Sequence, residues 1–287
     1  MKVGVIGAGA WGTALAIVCA QGGADVVLWS YDGAAATFDG VDTPNNLKLT
    51  CDMGDLGDAD VWLAVTPSSF FADTMACARE FYNGVPVIIC TKGAESKTGR
   101  LMTEIMALVL PECTDLGVLS GPQFAAEVAR GVPTGSTLAG NSAVIQAGRA
   151  ALNKLYISPS DDVIGTQICG VGKNAVALIA GYASVAGAGE NERALIFTRA
   201  WDDVAKIGVA MGAKIETFMD LCGIGDLFLS ATSPTSRNFS GGMAIARGNT
   251  PDGTVEGIGA LRGLISRATS LGVKTPVLTE MAEKLGI

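Results

Sequence analysis

The sequence predicts an α/β fold: a mainly parallel sheet over residues 1–160, then an all-helical C-terminal domain over 161–287. Three observations predict it. Short apolar runs alternate with helix-like stretches through the first half, the pattern of a parallel sheet with helices on both faces. The opening run KVGVIGAGAWG joins a strand to a helix through closely spaced glycines. After Pro159 the alternation stops and long helical stretches take over.

In order, strands are expected at Lys2–Ile6, Val26–Trp29, Val61–Val65, Val85–Cys90, Gly117–Leu119, Ser136–Ala139 and Lys154–Ile157. Helices are expected at Ala10–Gln21, Ser68–Phe81, Arg100–Leu110, Phe124–Arg130 and residues 141–153. The second domain reads as long helices near 166–189, 191–212 and 256–272.

Composition narrows the function classes. Hydrophobic residues make up 49% and charged residues 17%, enough apolar content for a substantial core. The net charge of −8 is dispersed, which argues against nucleic acid as a partner. There is no histidine, so histidine-based triads and His-ligated metal sites are excluded, and no metal is expected. Any acid–base chemistry must use Lys, Asp, Glu, Tyr or Cys. Seven scattered cysteines fit a reducing, cytoplasmic setting. The run Ala175–Gly189, AVALIAGYASVAGAG, is apolar but too short to span a membrane, so no transmembrane segment is expected.

Gly7, Gly9 and Gly12 form G-x-G-x-x-G after a strand and at a helix start. The first permits a tight turn, the second lets a pyrophosphate approach the backbone, and the third permits close helix–strand packing. This is the Rossmann-like dinucleotide signature. Asp32 follows Gly12 by twenty positions, where an acid can accept from an adenosine ribose. An acid in an ordinary turn after a strand is the alternative.

Four further places carry candidate chemistry. Lys92, in CTKGAE, follows a strand at the end where ligands collect; an exposed loop lysine is the alternative. Lys173 and Asn174 adjoin a nearly unbroken apolar segment, where burial and nearby cations lower a lysine pKa; the alternative is a snorkelling lysine at a helix start. Asp226, in CGIGDLFLSAT, can balance Lys173 or cap a helix. Ser236, Arg237 and Asn238 form a donor cluster suited to phosphate, or else a surface turn. Glu256 reads equally as a helix-start acid or a ribose contact.

With these motifs in place, the chain resembles the bacterial-type NAD(P)-dependent glycerol-3-phosphate dehydrogenases. The matching segments are GAGAWGTALA, VVLW, CTKGAE, LSGPQFAAEVARGVPT, GKNAVALIAG, LCGIGDLFLSAT and SRNFSGGMAIARG, followed by VEG and LGVKTPVLTEM. They cover nearly the whole chain in order. The resemblance implies a dinucleotide-binding domain, a helical substrate domain, and reversible hydride transfer between glycerol 3-phosphate and dihydroxyacetone phosphate. It implies supply of glycerol 3-phosphate for glycerophospholipid synthesis and a homodimer.

Residue by residue, it makes Lys173 the proton acceptor in alcohol oxidation, with Lys92 and Asp226 in the catalytic cluster. Substrate contacts fall on Lys92, Gly121, Gln123, Lys173, Asn174, Asp226, and on Ser236, Arg237 and Asn238. Cofactor contacts fall on Gly7, Gly9, Ala10, Trp11, Gly12, Tyr31 and Asp32, and on Lys92, Ala125, Arg237, Val255 and Glu256.

Departures from the family pattern are local. Gln123 stands where Ser or Thr is usual, adding bulk to the substrate loop. Ser230 replaces a usual threonine and keeps the hydroxyl. Tyr31 stands where Arg or His is usual; with Asp32 beside it, this tilts the cofactor from NADP(H) toward NAD(H). The stretch before NNLKLT is short and the chain stops at Gly286–Ile287, as in a compact family member. Two other readings stay open: a dehydrogenase for another phosphorylated or carboxylated alcohol, and a non-catalytic dinucleotide-binding redox sensor or scaffold. Gln123 keeps the first alive, while the retained Lys92, Lys173 and Asp226 argue against the second.

Overall fold

The computed structural model describes residues 1–287. Eight strands form one sheet: β1 (Lys2–Ile6), β2 (Asp25–Trp29), β3 (Leu47–Thr50), β4 (Val61–Ala64), β5 (Val87–Ile89), β6 (Leu116–Ser120), β7 (Gly135–Ala139) and β8 (Tyr156–Ser160). The order across the sheet is β3-β2-β1-β4-β5-β6-β7-β8. The β1/β2, β1/β4, β2/β3, β4/β5, β5/β6 and β7/β8 pairs are all parallel. Helices α1 (Ala10–Gln21), α2 (Phe71–Ala78), α3 (Met102–Val109), α4 (Ala125–Ala129) and α5 (Ser142–Ala151) alternate with the strands. The rest is helical: α6 (Val163–Val185), α7 (Glu190–Ala210), α8 (Asp226–Thr232), α9 (Arg237–Ala246), α10 (Glu256–Leu271) and α11 (Pro276–Leu285).

The chain divides into two compact units. The first holds Met1–Thr91, Met102–Leu119 and Gln123–Val163; the second holds Lys92–Leu101, Ser120–Pro122 and Ile164–Ile287. This division departs from a single cut at 160/161 at Lys92–Leu101, at Ser120–Pro122 and at residues 161–163.

In the first unit, strand side chains alternate between two covered faces, which is why these strands read as unbroken apolar runs. Val3, Val5 and Leu28 join Leu15 and Cys19 of α1 and Val144 of α5 in one core. Trp29 and Trp62 join Phe71 and Met75 of α2 and Met102 and Met106 of α3 in another. The final strand begins two residues later than expected and runs through Pro159. A proline has no N–H to donate, and β8 tolerates it as a sheet edge. The other edge, β3, is not foreseen by the sequence: LKLT alternates apolar and polar residues, but over only four positions, and none of them is buried.

The second unit is built around α6. At 23 residues it is longer than the apolar run suggests, so length no longer separates it from a membrane span. It is the one helix long and apolar enough for that test, but 78% of its most apolar stretch is buried within the protein. Its apolar composition is that of a core helix, packed among Leu261, Leu264 and Phe218. Small residues let neighbours close in. A Cβ added at Gly181 would lie 1.9 Å from the Phe239 carbonyl oxygen of α9.

The helices α8, α9 and α11 are absent from the expected list because they are short and separated by tight turns. Helix α11 has no side-chain cap of its own. Instead Asp203, fully buried on α7, accepts from Val277 N–H at 2.8 Å and Leu278 N–H at 3.3 Å. Asp203→Ala should leave both amides without an acceptor and cost about 2–3 kcal/mol. Urea unfolding measures the loss, and amide exchange should quicken first in α11. Unchanged stability would show that packing alone docks this helix.

Candidate active site

Three stretches of the second unit meet at one carboxylate. Lys92 opens the Lys92–Leu101 stretch, Lys173 sits mid-way along α6, and Asp226 is the first residue of α8. A wide turn at Leu221–Gly225, where Gly223 leaves helical geometry, delivers Asp226 into the interior. Its Oδ2 lies 2.7 Å from Lys92 Nζ and its Oδ1 lies 3.2 Å from Lys173 Nζ. Asp226 is 1% exposed and the two lysine side chains 13% and 12%. Lys92 Nζ also donates to Gly121 O at 2.7 Å. Lys173 Nζ donates to Ser230 Oγ at 3.0 Å, and that hydroxyl donates to Asp226 Oδ1 at 3.2 Å.

The electrostatics follow from this packing. Burial holds the Lys173 pKa below the ordinary lysine value, with the Lys92 charge pushing the same way and Asp226 opposing. Burial alone would raise Asp226, but the Lys173 charge, then the Lys92 charge, outweigh it and hold the carboxyl low. The cluster thus carries two cations against one anion. A carboxylate already engaged leaves positive charge available to an anionic ligand or an oxygen gaining charge.

A second polar chain adjoins the first. Asn174 Nδ2 donates to Lys92 O at 3.4 Å and to Glu256 Oε2 at 3.3 Å. Asn238 Nδ2 donates to Asn174 Oδ1 at 2.8 Å, and Gly257 N–H donates to Asn238 Oδ1 at 2.9 Å. Ser236 caps α9, accepting from Phe239 N–H, and exposed Arg237 begins that helix. The cluster is therefore a helix start, not an irregular surface turn. Val255 precedes α10 without a side-chain cap, and Glu256 is the helix's first residue.

The structure rules out two of the alternatives. Lys173 is not at a helix start but inside α6, so it does not snorkel from an end. Asp226 does not cap α8; that position is Gly225, and the carboxylate is committed to the lysines. Ser230 was noted only as a substitution and given no site role. Its signal was present: it stands four residues after Asp226, on the same helical face. Ser120 carried no signal. It is buried at the end of β6 with its hydroxyl unpartnered, and a Cβ at Gly170 would lie 3.1 Å from it and 3.7 Å from Lys92 Cγ.

The first unit carries the glycine loop. Gly7 adopts φ +113°, a conformation that favours glycine. A Cβ at Gly12 would sit 1.8 Å from Gly7 O, so the third glycine is a packing requirement. At Gly9 an added Cβ meets nothing within 4 Å. That residue starts α1 without offering a side-chain cap. An open backbone at a helix N-terminus is what a pyrophosphate needs. Ala10 and Trp11 form the helix's first turn. Past β2, Asp32 accepts from Ser30 Oγ at 2.9 Å and Ala34 N–H at 3.1 Å. The Ala34 bond, then the Ser30 bond, hold its pKa low. Tyr31 beside it is 89% exposed. Gln123 and Ala125 also lie in this unit. Gln123 Oε1 accepts from Ser136 Oγ at 2.8 Å while its Nε2 is buried without a partner. Ala125 begins α4.

A parallel sheet with this glycine turn, in one chain with a helical unit built on a lysine-bound carboxylate, defines the class of NAD(P)-binding dehydrogenases with a separate helical unit. Comparison with known proteins narrows it. Residues 2–145 match the family model for the NAD-dependent glycerol-3-phosphate dehydrogenase N-terminus, and residues 162–285 match that for its C-terminus. The chain belongs to this family. The glycerol-3-phosphate dehydrogenase (NAD(P)+) of Parvibaculum lavamentivorans is 36% identical over 98% of this chain and 91% of its own length. That of Paramagnetospirillum magneticum is 41% identical over 86% and 94%. The crystal structure of glycerol-3-phosphate dehydrogenase from Coxiella burnetii superposes with a TM-score of 0.90 at 29% identity, covering 99% of this chain and 94% of that one.

Removing the central carboxylate should be costly, because it strands buried positive charge. Asp226→Ala should lose about 3–5 kcal/mol, and adding Lys173→Met should recover part of it in a double-mutant cycle. The pH sign follows from the lowered Asp226 pKa. Its contribution is present above the unfolded carboxyl pKa and lost as pH falls through the folded value. Denaturant midpoints across acidic pH should therefore converge for wild type and Asp226→Ala.

Proposed function

We propose that this chain transfers hydride reversibly between NAD(P)H and dihydroxyacetone phosphate, giving sn-glycerol 3-phosphate. The observation that carries the reading is the contact of Lys173 and Lys92 with Asp226 in a member of this family. The bound dinucleotide supplies the hydride. In reduction, protonated Lys173 gives a proton to the C2 oxygen as hydride reaches C2. In oxidation, the free amine takes the hydroxyl proton while hydride leaves C2. Asp226 orients both lysines, with Ser230 bridging it to Lys173. Lys92, Arg237 and Asn238 bind the phosphorylated substrate, Arg237 through its planar pair of donors. The first unit is the dinucleotide domain and the second the substrate domain. The cellular role is glycerol 3-phosphate supply for glycerophospholipid synthesis, by a cytoplasmic homodimer.

NADH is the preferred cofactor. Tyr31 offers no cation to a 2′-phosphate, and Asp32, a carboxylate ionised at neutral pH, repels one. Separate assays of NADH and NADPH oxidation with dihydroxyacetone phosphate should give the higher kcat/KM with NADH. Tyr31→Arg should raise kcat/KM for NADPH by about ten-fold, equivalent to ~1.4 kcal/mol. A wild type favouring NADPH would overturn the preference. A panel of other phosphorylated and carboxylated ketones tests the substrate, and turnover of none with either cofactor would overturn the enzyme assignment.

The lowered Lys173 pKa sets the pH profile. Glycerol 3-phosphate oxidation should rise with pH through an apparent pKa below the ordinary ~10.4 of lysine, and ketone reduction should fall through it. Lys92→Met removes a neighbouring positive charge, so the residual oxidation profile should move to higher pH. Folded Lys173→Met should lose at least about a hundred-fold in kcat; normal turnover would rule out its proton-transfer role.

A further inference from the structure

The first unit contains an uncommitted hydroxyl on a residue that packs against the glycine loop. Thr66 lies two residues past the end of β4, and Gly7 one residue past the end of β1. These strands are neighbours at the centre of the sheet, where its order turns back: β2 and β3 extend to one side of β1, and β4 onward to the other. In open α/β sheets, ligands bind beyond the carboxyl ends of the strands at such a reversal.

Thr66 is 5% exposed, and its Oγ1 is buried with no hydrogen-bond partner. The residue is held in place. Thr91 Oγ1 donates to Thr66 O at 2.6 Å, tying the ends of β4 and β5 together. A Cβ added at Gly7 would lie 3.1 Å from Thr66 N and 3.2 Å from Thr66 Cγ2, so the threonine backs directly onto the glycine turn. A buried hydroxyl with nothing to bond costs stability, whereas a valine of the same shape would not. The hydroxyl serves no fold-building bond, and the residue that carries it packs, through its backbone N and Cγ2, against the turn whose backbone is cleared for an anionic ligand.

We infer that the Thr66 hydroxyl is a further cofactor-binding group, donating a hydrogen bond to an oxygen of the bound dinucleotide. This rests on the dinucleotide-binding reading of the same loop. The bond is made only when the dinucleotide is present, so Thr66 contributes to affinity what it withholds from stability.

Two measurements with opposite expected signs test it: thermal unfolding of the free protein, and Kd for NADH and NADPH by quenching of protein fluorescence. Thr66→Val should unfold at the same or a higher temperature than wild type. It should bind the preferred dinucleotide about ten-fold more weakly, with a smaller ligand-induced rise in Tm. Thr66→Ser, which keeps the hydroxyl, should bind within about two-fold of wild type. Unchanged affinity in Thr66→Val would overturn the inference. So would a drop in the free protein's Tm accompanied by equal loss of affinity in Thr66→Ser, because that pattern belongs to a packing role. If the wild type binds neither NADH nor NADPH, the dinucleotide reading falls and takes this one with it.

Discussion

The second unit depends on the carboxylate of Asp226. Two ammonium groups approach it to 2.7 and 3.2 Å in nearly dry surroundings. Two unit charges about 4 Å apart interact by about 4 kcal/mol at an effective dielectric constant near 20, so two buried lysines without an anion would repel each other strongly. Asp226 turns that repulsion into a fixed geometry. It holds the start of α8 against the middle of α6 and against a lysine 134 positions earlier in the chain. Because one carboxylate serves two cations, positive charge remains for a phosphorylated ligand. Pairing each lysine with its own acid would stabilise the unit and leave nothing to attract an anion. An acidic chain can therefore recognise an acidic substrate, since the overall charge of −8 is screened over about 8 Å at physiological salt while the cluster acts at contact.

The fold was legible wherever the determining residues are contiguous. The β1–α1 turn is one example: the glycines that clear its backbone stand within six positions, between an apolar strand and an apolar helix. β3 was not legible, since alternation over four residues, with Lys48 and Leu49 exposed, is too short to mark a strand that its pairing with β2 defines. Helix α6 was legible in extent, since the stretch read near 166–189 already runs through Lys173 and Asn174. Their burial was not legible, because burying polar groups without partners is prohibitive and the partners come from distant positions in the chain.

The same division holds for the site. Lys173 stood out by its surroundings and Asp226 could be offered as its counter-charge, but only the family resemblance placed Lys92 with them, since no local pattern links such distant positions. Ser230 was recoverable from helical spacing, given Asp226. Thr66 and Ser120 were not, because an orphaned hydroxyl is defined by the absence of nearby acceptors, and absence in space leaves no trace in sequence.

Lys173 and Asn174 serve two polar clusters because successive helical residues point about 100° apart. Lys173 meets Asp226 and Ser230, while Asn174 meets the Lys92 backbone, Glu256 and Asn238. Both clusters are thus set by the rotation and depth of one helix. The small residues of α6 then acquire a second meaning. At Gly172 an added Cβ would lie 2.3 Å from Val204, and at Gly181 it would meet the backbone of α9. A bulkier side chain at either position would shift α6 against the neighbours that supply its polar partners, and a shift of a few tenths of an ångström would reach both clusters together. Close packing and site geometry are therefore one constraint in this unit. That explains how a helix with the composition of a membrane span can carry a lysine and an asparagine at its centre.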